Sequence, residues 1–252
     1  MVIENNKQYS KLIDLIRNKD VAIVVIRDDY RIHPKNSKAI VASLCCGSKK
    51  YDVIFSHSES TANLDIQKLK VARRFWVDDG KQFYHLTGFT NFYDVRIMNW
   101  VNDREYSDIQ LPNVFDFVYN KTKTNGNTIV PLMKVLEYSR DRLFNLGKMS
   151  DELDITKASL KYNKSSMYLA NIESEGIQTT SDYWYTNYNM YTSTGRPSNT
   201  FGGINFAALP KDDGTRKQII SKHKTGMLVE FDYDAYHLRL LGNILDYKFP
   251  KN

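Results

Sequence analysis

The chain has 252 residues, 42% of them apolar, which is enough to bury a core and excludes a largely disordered chain. Its 35 Lys and Arg against 29 Asp and Glu leave a net charge of +6, a mild excess that fits a polyanionic partner without requiring one. Several of the cations cluster in the last fifth of the chain: Lys211, Arg216, Lys217, Lys222 and Lys224.

The first 120 residues alternate between helix and strand patterns. The apolar residues of 8–18 recur at helical spacing and predict a helix. Segments rich in β-branched and aromatic residues predict strands at 21–26, 39–46, 51–57, RRFWVDD (73–79) and QFYHLTG (82–88). FYDVRIMNWVND (92–103) returns to helical spacing, so the order of elements predicts an α/β or α+β domain.

The middle of the chain reads as a linker and two helices. The polar segment NKTKTNGNT (120–128) is the predicted linker. The apolar residues of 129–147 form a helical stripe that ends near Gly147, and a second helix is predicted over 157–175.

From Tyr183 the composition becomes rich in Tyr, Thr, Asn and Gly, which predicts extended strand and loop rather than helix. Such a surface exposes hydroxyls, amides and aromatic rings, which suit a nucleic-acid backbone and its bases. A tyrosine-rich hairpin without any partner fits this composition equally well.

The stretch EFDYDAYHLRLLG (230–242) ends a strand pattern in two acidic residues and turns at once into a leucine-rich helix. Asp234 is explained as the N-cap of a helix that begins at Ala235. Asp232 has no such explanation, and a carboxylate at a strand end beside a helix N-terminus suits a hard divalent cation. A solvated strand end is the alternative for this segment taken alone.

Three segments in order resemble the palm of the family A DNA polymerases, the group of bacterial repair polymerases and many phage replicases: TSTGRPSN (192–199), GGINFAALPKDDGTRK (202–217) and LVEFDYDAYHLRLL (228–241). The resemblance implies that Asp232 and the backbone carbonyl of Tyr233 bind Mg²⁺ in a two-metal centre. His237 stands at the position that excludes ribose. The implied DNA-binding residues are Thr194, Arg196, Asn205, Arg216, Lys217 and Arg239.

The same resemblance implies the activity and the partners. It predicts a DNA-directed DNA polymerase of a replication system that binds a DNA template–primer and deoxynucleoside triphosphates. The second metal-binding carboxylate and the fingers helix are missing after Arg239, so a second polypeptide is expected to supply them. The compact arrangement is similar to that of a viral replicase, such as a phage enzyme.

Residues 20–120 resemble, more weakly, the 3′→5′ exonuclease domain that precedes this polymerase. That domain needs an Asp-x-Glu pair, a further Asp and a Tyr-x-x-x-Asp. Here Arg27 and Asp29 fall at the first pair and Phe83 at the second motif, and no convincing third motif is found. Because two metals cannot be held by one carboxylate in four, proofreading is predicted to be lost.

The predicted architecture is therefore α/β (α+β) in three parts: an RNase H-like exonuclease-type domain over 1–120, a helical connector or reduced thumb over 121–182, and an incomplete polymerase palm over 183–252. The thumb is expected to be very short or absent. Two alternatives remain open. One is a catalytically inactive DNA-binding remnant or exonuclease-fold nucleic-acid-binding protein, and the other is a nuclease that degrades single strands.

Cysteine, histidine and hydropathy patterns predict where the protein works. Cys45 and Cys46 are adjacent and cannot close an ordinary disulfide loop, which is typical of a reducing compartment. The start MVIENNKQY shows no secretory leader, and the longest aliphatic run, VAIVVI, is far below the roughly 18 residues that span a bilayer. The five histidines lack zinc-motif spacing. A soluble, cytoplasmic protein without a membrane partner or a zinc site is expected, in the host cytoplasm if it is viral.

Overall fold

The structure of the chain is a computed structural model. It describes residues 1–30, 32–103, 131–151, 153–192, 194–199, 204–210, 212–229 and 235–248. The chain divides into two compact units. The first unit comprises Met1–Gly176 and Trp184–Leu209, and the second comprises Ile177–Tyr183 and Pro210–Asn252.

A six-stranded mixed sheet forms the centre of the first unit. Its strands are β1 (Val2–Ile3), β2 (Asp20–Arg27), β3 (Ala39–Cys46), β4 (Lys49–Ile54), β5 (Arg74–Val77) and β6 (Phe92–Asp94). Their order across the sheet is β1-β4-β3-β2-β5-β6. β2 pairs antiparallel with β3, and β3 with β4, whereas β2–β5, β5–β6 and β1–β4 are parallel. The sheet therefore changes from antiparallel to parallel pairing at β2.

Helices cover both faces of this sheet. They are α1 (Asn6–Ile16), α2 (Gly80–Thr87), α3 (Val95–Asp103), α4 (Leu132–Asp151) and α5 (Lys157–Glu175). β2 is apolar along nearly its whole length because both of its faces are buried. Ile23 and Val25 face the cluster that contains α1 and α2, while Val24 and Ile26 face the cluster that contains α4.

Most of the predicted elements of the first unit are confirmed. β3 and α5 have the predicted bounds, and α1 is shifted by two residues toward the N-terminus. Segment 92–103 is a short strand followed by a helix, because Phe92–Asp94 pairs with β5 before α3 begins. The predicted linker at 120–128 and the predicted domain boundary at residue 120 lie outside the described residues.

Two predictions about secondary structure are wrong. QFYHLTG is part of α2, because Asp79 caps this helix by accepting the Gln82 N–H at 2.9 Å, and Phe83 packs into the core. The aromatic residues of this segment led to a strand prediction although the segment is helical. α4 continues past Gly147 to Asp151, since the buried side chains of Leu146 and Met149 offset the roughly 1 kcal/mol cost of a helical glycine.

The C-terminal part of the chain has little regular structure among its described residues. Its strands have two residues each: Ile177–Gln178, Tyr183–Trp184, Tyr188–Asn189 and Ser198–Asn199. Helix α6 (Tyr236–Ile244) confirms the predicted leucine-rich helix, but it begins one residue later than predicted. Its N-cap is Ala235, which makes no side-chain capping hydrogen bond, and not Asp234. The described residues of 183–252 contain no strand longer than two residues, so they show no polymerase palm. Glu230–Asp234 lies outside the described residues.

None of the helices in the described part of the chain is long and apolar enough to cross a bilayer.

A buried ion pair joins the parallel half of the sheet to α4. Asp78, directly after β5, accepts hydrogen bonds from Arg142 Nε at 2.7 Å and Nη2 at 2.6 Å. Both side chains are only 5% exposed. Burial opposes the charge of Arg142, but the Asp78 carboxylate raises the pKa of the guanidinium above its ordinary value. Each charge in this pair therefore depends on the other.

We expect Asp78→Ala to lower the free energy of unfolding by about 3–5 kcal/mol, because it leaves the Arg142 guanidinium buried and unpaired. The double variant Asp78→Ala/Arg142→Met should be more stable than the single variant, since it removes the stranded charge. Urea denaturation measures both. A matched control is Asp20→Ala, which breaks the exposed pair with Arg73 and should change stability far less. A double variant less stable than Asp78→Ala would contradict the prediction.

Candidate functional site

Charged side chains meet at one edge of the sheet. β2, β5 and β6 are parallel, so their carboxyl ends lie at the same edge. Arg27 ends β2, Asp79 follows β5 and Asp94 ends β6, and all three line a cavity of about 290 Å³. Open α/β sheets bind ligands at such a place, outside the carboxyl ends of strands where the topology changes. Other side chains of this sheet-edge cavity are Lys81, Gln82, His85, Arg96, Glu173 and Tyr191.

Asp94 is fixed by backbone groups on both of its oxygens. Oδ2 accepts the Gly80 N–H at 2.8 Å, and Oδ1 accepts the Ile97 N–H at 3.1 Å. Residue 80 must be glycine for this approach, because a Cβ there would lie 2.5 Å from a ring carbon of Phe92. Burial, followed by the neighbouring charge of Asp79, raises the pKa of Asp94 to about 6.

Glu173, in the last turn of α5, also lines the cavity. Its carboxylate is 1% exposed. Oε1 accepts from Lys81 Nζ at 2.5 Å and from the Tyr188 N–H at 2.6 Å, and Oε2 lies 2.8 Å from His85 Nε2. Lys81 also donates to Asn187 Oδ1 and to the Tyr188 carbonyl. One buried carboxylate thus connects α5, α2 and the segment 187–188.

His33 reaches the same network from the loop between β2 and β3. Its ring lies edge-on to His85, with 4.9 Å between ring centroids, and its Nε2 lies 3.1 Å from the Thr186 carbonyl. Burial, followed by the neighbouring His85, lowers the pKa of His33 to about 4, so this imidazole is neutral at pH 7. Arg27 shapes the loop by donating to the Ile32 carbonyl at 2.8 Å.

Three of these side chains could hold a divalent cation. Among the described residues, one ligand atom each of His33, His85 and Glu173 lies within 4.8 Å of the other two. The described residues therefore offer a possible site for a divalent cation, whereas the predicted ligand Asp232 lies outside them. Imidazole nitrogens and carboxylate oxygens are ligands that divalent metal ions bind, and here both lie in one buried space.

An aromatic hollow of about 280 Å³ lies beside the cavity in the first unit. Trp100, Tyr162, Thr192, Thr194 and Gly195 line it. The Trp100 ring centroid is 6.1 Å from that of Tyr162 and 5.9 Å from that of Tyr191. Tyr191 lines the cavity and packs on Trp100, so one aromatic contact connects the cavity with the aromatic hollow.

The cavity does not bring together the described members of the predicted site: Thr194, Arg196, Asn205, Arg216, Lys217, His237 and Arg239. Asp232 and Tyr233 lie outside the described residues. Thr194 lines the aromatic hollow. Arg196 lies in the same exposed turn, and its backbone carbonyl accepts a hydrogen bond from the Thr192 hydroxyl at 2.9 Å.

The other predicted residues lie elsewhere. Asn205 caps the short 3₁₀ helix Phe206–Ala208, with its Oδ1 accepting the Ala207 N–H at 3.0 Å. Arg216 and Lys217 are exposed on a 3₁₀ turn of the second unit, and His237 and Arg239 are exposed on α6 of that unit.

The predicted exonuclease positions are only partly at the cavity. Arg27 lines it, but Asp29 does not, and Phe83 is buried in the core. Gln82, one residue earlier on α2, faces the cavity instead and donates to the Val25 carbonyl at 3.2 Å. If a helix beginning after the N-cap Asp79 had been predicted, its periodicity would have placed Gln82 on the face toward the cavity.

Sequence reasoning missed Lys81, His85 and Glu173. Lys81 and His85 are four residues apart on α2 and so share one face. Glu173 ends a buried stripe of α5 that is small or polar rather than apolar: Ser159, Asn163, Ser166, Ala170 and Glu173. A three-and-four spacing of such residues was the available signal, but a search for apolar periodicity does not register it.

No protein-family model matches the sequence, and no curated relative does. Solved structures are similar at low identity. Escherichia coli RNase D, an exoribonuclease involved in structured RNA processing, has 12% identity and a TM-score of 0.47 over 71% of this chain and 51% of that chain. The catalytic core of Trypanosoma brucei RRP6 has 14% identity and a TM-score of 0.37 over 69% of this chain and 50% of that chain. This chain thus spans about half the length of either.

A third similar structure is that of Brucella melitensis NrnC with bound Mg²⁺. It has 14% identity and a TM-score of 0.40, over 69% of this chain and 89% of that chain. NrnC has also been solved bound to pGG.

The prediction of a DNA-directed DNA polymerase is wrong. The similar structures named above are an exoribonuclease, the RRP6 core and NrnC rather than polymerases. The segment TSTGRPSN carried part of the family A resemblance. Its described residues form an exposed turn followed by the two-residue strand Ser198–Asn199. The predicted deoxynucleoside triphosphates and second polypeptide depended on polymerase activity and find no support.

The raised pKa of Asp94 predicts a pH-dependent stability. The folded state binds this proton more tightly than the unfolded state, whose carboxyl has its ordinary pKa of 3.8. The stabilisation is therefore fully present below pH 4 and is lost as the pH rises to about 6, by about 2–3 kcal/mol.

Urea denaturation of the wild type and of Asp94→Asn between pH 4 and pH 7 tests this expectation. The difference in unfolding free energy between the two proteins should change in favour of the variant as the pH rises, because only the wild type must ionise a buried acid beside Asp79. A difference that stays constant over this range would show that Asp94 has an ordinary pKa.

Proposed function

We propose that the chain is a nucleic-acid-binding protein built on an RNase H-like, exonuclease-type domain. The sheet-edge cavity would receive a backbone phosphate of a single strand, and the aromatic hollow would receive a neighbouring base. The observation that carries the proposal is an aromatic contact: Tyr191 of a cavity with three cationic side chains lies 5.9 Å, centroid to centroid, from Trp100 of the hollow, which Tyr162 also lines.

The cationic side chains support the phosphate half of this proposal. Arg27, Lys81 and Arg96 all line the cavity. The Arg96 guanidinium lies 5.7 Å from the centre of the Tyr191 ring, within the range of a cation–π contact. Arginine beside an aromatic face is a common means of holding a nucleotide, because the guanidinium binds phosphate while the ring packs on a base.

The aromatic hollow supports the base half. Stacking of a base on an aromatic side chain tolerates any sequence, because every base has a π-face. The hydroxyl of Thr194, which also lines the hollow, can donate to a sugar or phosphate oxygen. We therefore retain Thr194 and Arg196 as proposed nucleic-acid contacts, now beside Trp100 rather than at a polymerase primer end.

The carboxylates of the cavity favour binding over metal-dependent cleavage. Asp79 caps α2, Asp94 caps α3 and holds Gly80, and Glu173 accepts from Lys81, His85 and Tyr188. A two-metal centre needs several carboxylates available to bind cations. Backbone N–H groups already engage Asp79 and Asp94, so of these three carboxylates only Glu173, whose donors include the side chains of Lys81 and His85, is left to exchange a donor for a cation. We therefore propose that the domain binds a strand without hydrolysing it by a two-metal mechanism.

Fluorescence anisotropy with labelled single-stranded DNA and RNA tests the proposal. Arg96→Met should weaken binding about tenfold and flatten the dependence of log K on log[salt] by about 0.7, the value for one lost phosphate contact on a single strand. Trp100→Leu should weaken binding by about 1–3 kcal/mol, the range for a lost stacked base, without changing the salt dependence.

Arg17→Ala is the matched control. Arg17 is an exposed cation just before the amino end of β2, on the edge of the sheet opposite the cavity. It should leave binding unchanged. Equal losses for Arg96→Met and Arg17→Ala would mean that only net charge matters, and release of nucleotides from the strand in Mg²⁺ would overturn the proposed lack of hydrolysis.

A further inference from the structure

Two imidazoles and one carboxylate form a closed group inside the first unit. His33 comes from the loop between β2 and β3, His85 from α2 and Glu173 from α5, so three separate parts of the chain converge. All three are almost completely buried, since His33 is 2% exposed and the side chains of His85 and Glu173 are each 1% exposed. Surface histidines that bind metals adventitiously do not have this burial.

We propose that His33, His85 and Glu173 form a binding site for one transition-metal ion of the Zn²⁺ class. A ligand atom of each lies within 4.8 Å of the other two, which is close enough for small side-chain movements to bring all three onto one ion. Two imidazoles and a glutamate are a known ligand set for zinc with an open fourth position. His85 and Glu173 also line the sheet-edge cavity, so the metal site adjoins the proposed phosphate position, and it is tested without nucleic acid.

The donor types decide between metals. Imidazole nitrogens suit Zn²⁺ and its transition-metal neighbours, whereas Mg²⁺ requires a near-octahedral set of oxygens. This group supplies one carboxylate and two nitrogens. Among divalent cations it should therefore prefer Zn²⁺ to Mg²⁺.

The present contacts indicate which atoms would bind the ion. His85 Nε2 lies 2.8 Å from Glu173 Oε2, so this nitrogen and this oxygen would share the ion, which would take the place of the hydrogen bond between them. Both nitrogens of the His33 ring have a contact: Nε2 lies 3.1 Å from the Thr186 carbonyl, and Nδ1 accepts the Lys35 N–H at 3.3 Å. A metal would replace one of these two contacts, and the other would orient the imidazole, as outer partners of metal ligands do.

Lys81 is an internal competitor for this site. Its ammonium lies 2.5 Å from Glu173 Oε1 and would repel a divalent cation there. It also donates to Asn187 Oδ1 and to the Tyr188 carbonyl, so it keeps two oxygen partners when it leaves Glu173. Metal binding therefore exchanges one cation for another on the same carboxylate, and the lysine should weaken the affinity for metal.

Isothermal titration of the full chain with Zn²⁺ after treatment with a chelator, combined with elemental analysis, tests the site. We expect one Zn²⁺ per chain in the wild type, at least a hundredfold weaker binding in His33→Ala and His85→Ala, and about tenfold tighter binding in Lys81→Met. His223→Ala removes an exposed histidine of the second unit and is the matched control, which should bind as the wild type does. Circular dichroism confirms that each variant is folded.

Several outcomes would overturn the proposal. They are the absence of stoichiometric Zn²⁺ from both the wild type and Lys81→Met, wild-type affinity in folded His85→Ala, and displacement of Zn²⁺ by equimolar Mg²⁺. Co²⁺ substitution adds a readout of the ligand set, because its visible spectrum depends on coordination geometry and should disappear in His85→Ala. Metal content is measured without nucleic acid, so failure here leaves the proposed strand binding untouched, and the reverse also holds.

Discussion

The cavity depends on the buried carboxylate of Glu173. Three donors reach it, from Lys81 and His85 on α2 and from the backbone of Tyr188. Its loss would leave the His85 imidazole buried without this acceptor and would remove the only carboxylate among the three acceptors that Lys81 has in the described part of the chain. The helix that carries Glu173 ends immediately afterwards at Gly176. A glycine is required there, because its φ is 63° and a Cβ would lie 2.8 Å from the Tyr185 ring. The end of α5 is therefore fixed by both backbone conformation and packing.

The charges around the cavity nearly balance, and this balance separates the site from an acidic metal centre. Three cationic side chains face Asp79, Asp94 and Glu173, and the pKa of Asp94 is raised to about 6. A phosphate entering such a cavity meets cations that already have oxygen partners, since Arg27 donates to the Ile32 carbonyl and Lys81 to Glu173 and the Tyr188 carbonyl. In the same arrangement, Lys81 pairs with the Glu173 carboxylate, to which a metal ion would otherwise bind.

The sheet could be predicted from the sequence, but the site could not. β2 and β3 follow from their β-branched runs, and α5 follows from its caps, since Thr156 and Ser159 form a capping box and Gly176 ends the helix. α2 was missed because its aromatic residues resemble a strand, although Asp79 in front of it is a good N-cap.

The functional prediction was wrong for a physical reason as well. Short segments such as TSTGRPSN are turn-forming sequences that can occur in unrelated folds, so their resemblance to polymerase motifs carried little information about tertiary structure. The residues that converge here are far apart in the chain: His33 and His85 are separated by 52 positions, and His85 and Glu173 by 88. No local pattern records that juxtaposition. It follows only from parallel strands whose carboxyl ends share an edge, with α5 packed against α2.

The most direct test of the central claim is chemical-shift mapping of the ¹⁵N-labelled full chain with a short single-stranded oligonucleotide. The account predicts that the Trp100 indole N–H, the Arg96 side chain and the backbone amides of 187–191 shift together, while the amides at the amino end of β2 do not. Shifts confined to residues 212–248 of the second unit would contradict it, because binding would then bypass the sheet-edge cavity.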